Sequence, residues 1–183
     1  MIVFVSGGAR SGKSTFAERM ALDIYNKNKL INGRLFYLAT AKRSDEEMDR
    51  RIFLHQKGRG KVWEVLEEPY DLDRKLGLSR KGDVVLLDCL TIWLSNMMFD
   101  RATSNDEILD EVAKWTKIVR KKDVKLFIVS NAVNEELPSK YDSVKHYVYL
   151  LEKLHQLIVE QSDVAIQVRS GIPKYWKGGE VIS

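Results

Sequence analysis

Apolar residues along this chain fall into short unbroken runs, separated by stretches where they recur every three or four positions. The runs are residues 2–6, 35–39, 83–88, 125–130 and 164–168. Runs of about five apolar residues, bounded by Gly or charge, predict strands buried on both faces. Between them the period lengthens. Phe16, Met20 and Ile24 lie four apart and predict a helix from Ser14 to about Lys27. Ser44-Asp45-Glu46-Glu47 has capping-box spacing and predicts a helix to about Gln56. Ser104 to Glu107 repeats that spacing before a helix to about Lys121, and residues 140–161 read as one long helix. Lys61 to Leu66 alternates and reads as a short strand. Gly171-Ile172-Pro173 reads as the loop after the last strand.

Doubly buried strands alternating with helices predict a three-layer α/β domain with a mostly parallel central sheet. Such sheets bind ligands at the carboxyl ends of their strands, which directs attention to the loops after residues 6, 39, 88 and 130. The length of 183 residues, with no repeat and no Pro/Gly/Ser linker, predicts a single domain. One cysteine, Cys89, excludes an internal disulfide and a cysteine-built zinc cage. Net charge is +4, which suits an anionic small substrate and is far from the footprint of a nucleic-acid binder. The apolar start is about five residues long, and no segment approaches the roughly 18 that a span needs. A cytoplasmic protein without membrane insertion is expected.

Gly7-Gly8-Ala9-Arg10-Ser11-Gly12-Lys13-Ser14 satisfies G-x-x-x-x-G-K-[ST]. A chain of this length matches by chance about 1% of the time or less. The match also follows a predicted strand and opens a predicted helix. A lysine at a helix start opposes the macrodipole unless an anion sits there. The loop therefore reads as a phosphate cradle: Lys13 reaches the terminal phosphates and the Ser14 hydroxyl can ligate Mg²⁺. Asp88, at the tip of an apolar strand, is compatible with simple solvation. Downstream of a phosphate loop it becomes the candidate second Mg²⁺ partner. His55 reads by position as a half-buried histidine near a helix C-terminus, Glu67-Glu68-Pro69 as a solvated pair before a turn, and His146 and His155 as surface or packing residues.

Several segments, in order, resemble the bifunctional adenosylcobinamide kinase / adenosylcobinamide-phosphate guanylyltransferase family of cobalamin synthesis. They are the whole phosphate loop, Tyr37-Leu38-Ala39-Thr40-Ala41, Asp45-Glu46-Glu47-Met48 with Arg51-Ile52 and His55, and Arg59, Trp63 and Glu67-Glu68-Pro69. Asp88-Cys89-Leu90-Thr91 with Asn96, Asp163-Val164 and Ser170-Gly171-Ile172-Pro173 complete the series. The resemblance implies a P-loop NTPase-like fold in which Gly7 through Ser14 hold nucleotide phosphates. It implies that Ala39, Thr40, Ala41, Gln56, Lys57, Gly58, Arg59, Glu67 and Asp88 contact the nucleotide, with Ser14 and Asp88 at Mg²⁺. It makes His55 the nucleophile that takes GMP from GTP, and Lys13 the charge that steadies the departing phosphates. The implied substrates are GTP or ATP and a corrinoid. The aminopropanol hydroxyl of adenosylcobinamide is phosphorylated, and GMP is then transferred to that phosphate, giving adenosylcobinamide-GDP. The implied assembly is a homo-oligomer, a trimer in the family.

The sequence departs from the family pattern on what should be the acceptor side. Ala132 stands where the family carries glutamate, and Val148-Tyr149, Glu152 and His155-Gln156 replace its Arg-Asp, Gly and Asn-Gln positions. A P-loop kinase or nucleotidyltransferase with only one activity, or with another small alcohol as acceptor, is the alternative enzyme. A nucleotide-switched binding module is the alternative from another class.

Overall fold

The computed structural model describes residues 1–27, 32–42, 62–132 and 140–179. The predicted helix over 44–56 and its His55 lie outside these residues.

Seven strands form one sheet. They are β1 (Ile2–Gly7), β2 (Leu35–Ala39), β3 (Trp63–Glu67), β4 (Val84–Asp88), β5 (Lys125–Asn131), β6 (Val164–Arg169) and β7 (Ile172–Lys177). Their order is β3-β2-β4-β5-β1-β6-β7. All pairings are parallel except β6 with β7. The strand runs read from the sequence therefore hold, each within a residue or two of its end.

Alternation along the strands sorts their side chains onto two faces. Ile2, Phe4, Phe36, Leu38, Val85, Leu87, Leu126 and Ile128 pack on one side. They meet four helices: α2 (Leu72–Gly77), α3 (Leu90–Ser95), α4 (Asn105–Lys122) and α5 (Asp142–Gln161). Val3, Val5, Leu35, Tyr37, Val84, Leu86, Phe127 and Val129 pack on the other side, against α1 (Lys13–Lys27). Three layers result, as expected. On α1 the buried stripe is Ala17, Met20 and Ala21, with Phe16 and Ile24 at its margins, so small residues let the helix approach the sheet closely. The first helix-side core is anchored by Trp93 against Trp115, with ring centroids 4.5 Å apart in an edge-on arrangement. On α4 the capping box forms as read: Ser104 Oγ accepts from Glu107 N, and the Glu107 side chain accepts from Ser104 N.

Three elements differ from the sequence reading. Ile172-Pro173 is not a loop but the start of β7, which closes a hairpin on β6. Proline is admissible there because an edge strand leaves N–H groups unneeded on its open side. The six-residue helices α2 and α3 have too few turns to show a period. α3 continues into a π-helical turn, Asn96–Asp100, where Arg101 N donates to Asn96 O at 3.2 Å.

The end of the sheet opposite the ligand side is tied by Asp83. Its carboxylate is 1% exposed. It accepts from Arg34 N at 2.8 Å, Arg34 Nη2 at 2.7 Å and Arg80 N at 2.8 Å. Asp83→Ala strands two backbone N–H groups and is expected to cost about 2–4 kcal/mol of unfolding free energy. Urea denaturation of the two proteins measures this, and a loss below about 1 kcal/mol would show that solvent replaces the carboxylate.

Candidate nucleotide site

The phosphate loop leaves β1 at the centre of the sheet and enters α1. The neighbours of β1 fix its shape. Gly7 O accepts from Ala132 N at 3.0 Å, just past β5, and Ser11 O accepts from Gly171 N at 2.8 Å, at the β6–β7 turn. A side chain on Gly7 would lie 2.5 Å from Val168 O and 2.6 Å from Ser11 Oγ, so glycine is required there. Gly12 has φ +87°, the left-handed conformation glycine tolerates.

The loop borders a cleft of about 530 Å³. Ala9 to Ser14 line one side, and Asp88 and Cys89 line the other. Lys13 is buried, with its ammonium donating to Gly8 O at 3.2 Å. The Ser11 hydroxyl is buried with no hydrogen-bond partner among the described residues, a donor suited to an anion in the cleft. Asp88 ends β4, and its Oδ2 accepts from Tyr37 Oη at 2.8 Å. That bond aims the carboxylate from below.

The remaining candidates lie at neighbouring strand tips. Ala39, Thr40 and Ala41 are buried at and just beyond the end of β2. The Thr40 hydroxyl is engaged with the Cys89 backbone, donating to Cys89 O at 2.8 Å and accepting from Cys89 N at 2.9 Å. It braces the β2 and β4 tips against each other rather than lining the cleft. Glu67 ends β3, in register with Ala39, at the sheet edge. His55, Gln56, Lys57, Gly58 and Arg59 lie outside the described residues.

Other lining residues were not read as site residues from the sequence: Thr15, Glu18, Cys89, Ile92 and Asn131. Glu18, 2% exposed, sits one turn after Ser14 on α1, an i, i+4 relation that could have flagged it. Asn131 follows Ser130 at the tip of β5. The Cys89 thiol is pushed up, first by burial and then by the Asp88 charge, so it stays protonated. Its sulfur lies 2.9 Å from Thr91 Oγ1.

Beneath Asn131 is a pair that the sequence reading treated as packing. Ser130 Oγ and His155 Nε2 are 2.7 Å apart, and the imidazole lies 5.1 Å from the Phe4 ring. Its place on α5, four residues after Leu151 and three before Ile158, is the signal for that inward face. Burial lowers the His155 pKa to about 4. His155 is therefore neutral in the fold, while the unfolded chain takes up a proton near 6.5. Between pH 6.5 and 4 the unfolded state binds more protons, so stability falls as pH falls. About 2 kcal/mol should be lost between pH 7 and pH 5 through this residue. Denaturant titrations at both pH values, on the protein and on His155→Gln, isolate it: the loss should be smaller in the variant by about that amount.

Comparison with known proteins agrees with this geometry. The family model described as cobinamide kinase / cobinamide phosphate guanyltransferase matches residues 3–175. A curated relative, the bifunctional adenosylcobalamin biosynthesis protein CobP of Pseudomonas aeruginosa, is 33% identical over 176 residues, covering 95% of this chain and 96% of the relative. The bifunctional adenosylcobalamin biosynthesis protein CobU of Escherichia coli is 27% identical over 184 residues, covering 94% and 97%. Among solved structures, a KaiC-like protein from Pyrococcus horikoshii superposes with a TM-score of 0.52 at 14% identity, over 91% of this chain and 71% of that one, a likeness of fold. Among the described residues no helix is long and apolar enough to cross a membrane. With a phosphate loop at the centre of a parallel sheet and a family match over nearly its whole length, this chain belongs to the cobinamide kinase / cobinamide phosphate guanyltransferase family.

Proposed function

We propose that this enzyme runs both reactions of its family, phosphorylation of adenosylcobinamide and guanylyl transfer to the phosphate, at the one cleft bordered by the phosphate loop. The observation that carries this is a buried lysine, Lys13, and a buried carboxylate, Asp88, lining one cleft large enough for nucleotide phosphates. Lys13 and the N-terminus of α1 hold phosphate charge, which both reactions move. In the kinase step the acceptor hydroxyl oxygen bonds to the γ-phosphorus, and the nucleoside diphosphate leaves. In the second step a neutral His55 nitrogen bonds to the α-phosphorus of GTP and pyrophosphate leaves. The phosphate oxygen of the acceptor then displaces His55, giving adenosylcobinamide-GDP. Ala41, Gln56 to Arg59 and Glu67 complete the nucleotide site in this reading, with Ala39 and Thr40 supporting the strand tips behind it.

The residues fit a magnesium ion carried with the nucleotide. Ser14 and Asp88 are hard oxygen donors on the same cleft. Among the described residues no group of three or more His, Cys, Asp or Glu could hold a metal alone. That suits an ion bound by one or two side chains together with phosphate oxygens. When bound it would neutralise charge on the phosphates. Tyr37 orients the Asp88 carboxylate for that role. The reading places the enzyme in the cytoplasm, where GTP and ATP are supplied, as a homo-oligomer.

Lys13→Ala is expected to lower both activities by at least about a hundredfold, since charge held in a dry cleft is the main catalytic resource of phosphoryl transfer. Normal turnover by a folded variant rejects the assignment. Asp88→Asn keeps an acceptor for Tyr37 and should reduce kcat far more than nucleotide affinity. Isothermal titration beside steady-state rates separates the two, and parallel losses count against a metal role.

His55 is tested chemically. Incubation with GTP and Mg²⁺ should add one GMP to the protein by intact mass. The adduct should be labile to acid and stable to alkali, as a phosphoramidate is. His55→Ala should lose the adduct and guanylyl transfer while keeping much of the kinase step. An adduct that persists in His55→Ala, or that maps to His146 or His155, overturns the assignment.

A further inference from the structure

A second groove of about 400 Å³ adjoins the nucleotide cleft. Thr91, Ile92, Phe99, Asn131, Val144 and Tyr147 line it, and Ile92 and Asn131 belong to both walls. A ligand lying in the groove would therefore end beside the phosphate loop. Among the described residues none of the side chains lining it carries a charge, in contrast to the cleft with its Lys13, Arg10, Glu18 and Asp88.

The groove is aromatic and exposed. Phe99 is 56% exposed and stacks with Tyr147, ring centroids 6.2 Å apart and planes within 25°. Val144, 40% exposed, continues this apolar wall along the first turn of α5. Phe99 comes from the π-helical turn, whose widened ladder departs from the α-helical path. The turn itself is fixed, because Asn96 Nδ2 donates to Thr40 O at 2.9 Å and to Pro69 O at 3.1 Å. Tyr147 is fixed as well: its hydroxyl donates to Thr91 O at 2.9 Å, and burial pushes the phenol far above its ordinary range. What remains for a ligand is ring face, together with the Ser95 and Asn131 polar groups on the groove.

We infer that this groove is the acceptor subsite, where one edge of the corrin ring packs on Phe99 and Val144 while its hydroxyl-bearing arm passes Asn131 to the phosphate loop; the placement rests on a corrinoid being the acceptor. The chemistry agrees on each count. A corrin is broad, presents methyl groups and neutral primary amides along its rim, and is too large to be enclosed, so an open, partly aromatic groove suits it. Amides can pair with the Ser95 hydroxyl and with the Asn131 carboxamide oxygen, since Asn131 Nδ2 already donates to Thr91 Oγ1 at 3.4 Å. The reacting arm must reach the cleft from outside the loop, and the shared Ile92–Asn131 wall is such an entrance.

The test uses the full-length enzyme with adenosylcobinamide, ATP, GTP and Mg²⁺. Two exposed positions are varied separately, Phe99→Ala and Val144→Arg, so that a folding failure in one leaves the other. Each should raise the KM for adenosylcobinamide about tenfold, the loss expected for one aromatic or apolar anchor. The KM for nucleotide and the extent of GMP labelling should stay within about twofold, with molar mass by light scattering unchanged. An unchanged corrinoid KM in both variants, with nucleotide parameters intact, overturns the placement. A changed molar mass with an unchanged corrinoid KM also overturns it, and assigns the wall to contact between copies. If the wild-type enzyme is labelled by GTP yet never turns over adenosylcobinamide, the acceptor reading falls and this placement with it.

Discussion

The geometry of the phosphate loop is imposed by its neighbours, and the rest of the site hangs on that. The loop has no regular ladder of its own. One end is held where Gly7 O meets Ala132 N, and the far side where Ser11 O meets Gly171 N. β1 lies between β5 and β6, so both clamps exist only when these three strands are in register. The close approach of Val168 O to Gly7 leaves no room for a side chain. A slip of one residue in either pairing would exchange the two faces of the sheet and break a clamp.

Charge within the cleft follows from this. A lysine at the start of α1, buried with its ammonium on Gly8 O, adds to the positive end of the helix. There is no acidic residue in the first turn of α1 to offset it. Carboxylates on the cleft come from Glu18, further along α1, and from β4, two strands away in the sheet, where Tyr37 holds Asp88. The phosphate loop and the Asp88 carboxylate thus come from different strands, and the sheet fixes the distance between them.

The groove adjoining the cleft is built on a different principle. Neutral, half-exposed aromatic and aliphatic side chains form a wall, and the π-helical turn carries its most exposed member. The departures from the family pattern bear on this side unequally. Ala132 uses its backbone N–H to hold the phosphate loop, so the loss of an acidic side chain there leaves the loop clamped. Tyr149 and Glu152 are exposed on α5 and do not line the groove. His155 is turned inward, onto Ser130 at the base of the β5 tip.

The sequence alone determined the strands, the long helices, the Ser104–Glu107 cap and the phosphate loop, because each is written in local periodicity or in contiguous residues. Asp88 was legible for the same reason, as an acid at the end of an apolar run. Tertiary structure decided what depends on partners distant in the chain. The short helices α2 and α3 persist because Leu72, Leu76, Leu90 and Leu94 are buried against the sheet, not because their own turns are stable. β7 exists because β6 offers an edge where Pro173 needs no donor. Thr40 became a brace and His155 a neutral buried partner because folding brought Cys89 and Ser130 to them, from 49 and 25 residues away. The groove beside the cleft joins Phe99, Asn131 and Tyr147, side chains from three elements whose proximity no spacing encodes, since it arises only when α5 packs across the sheet.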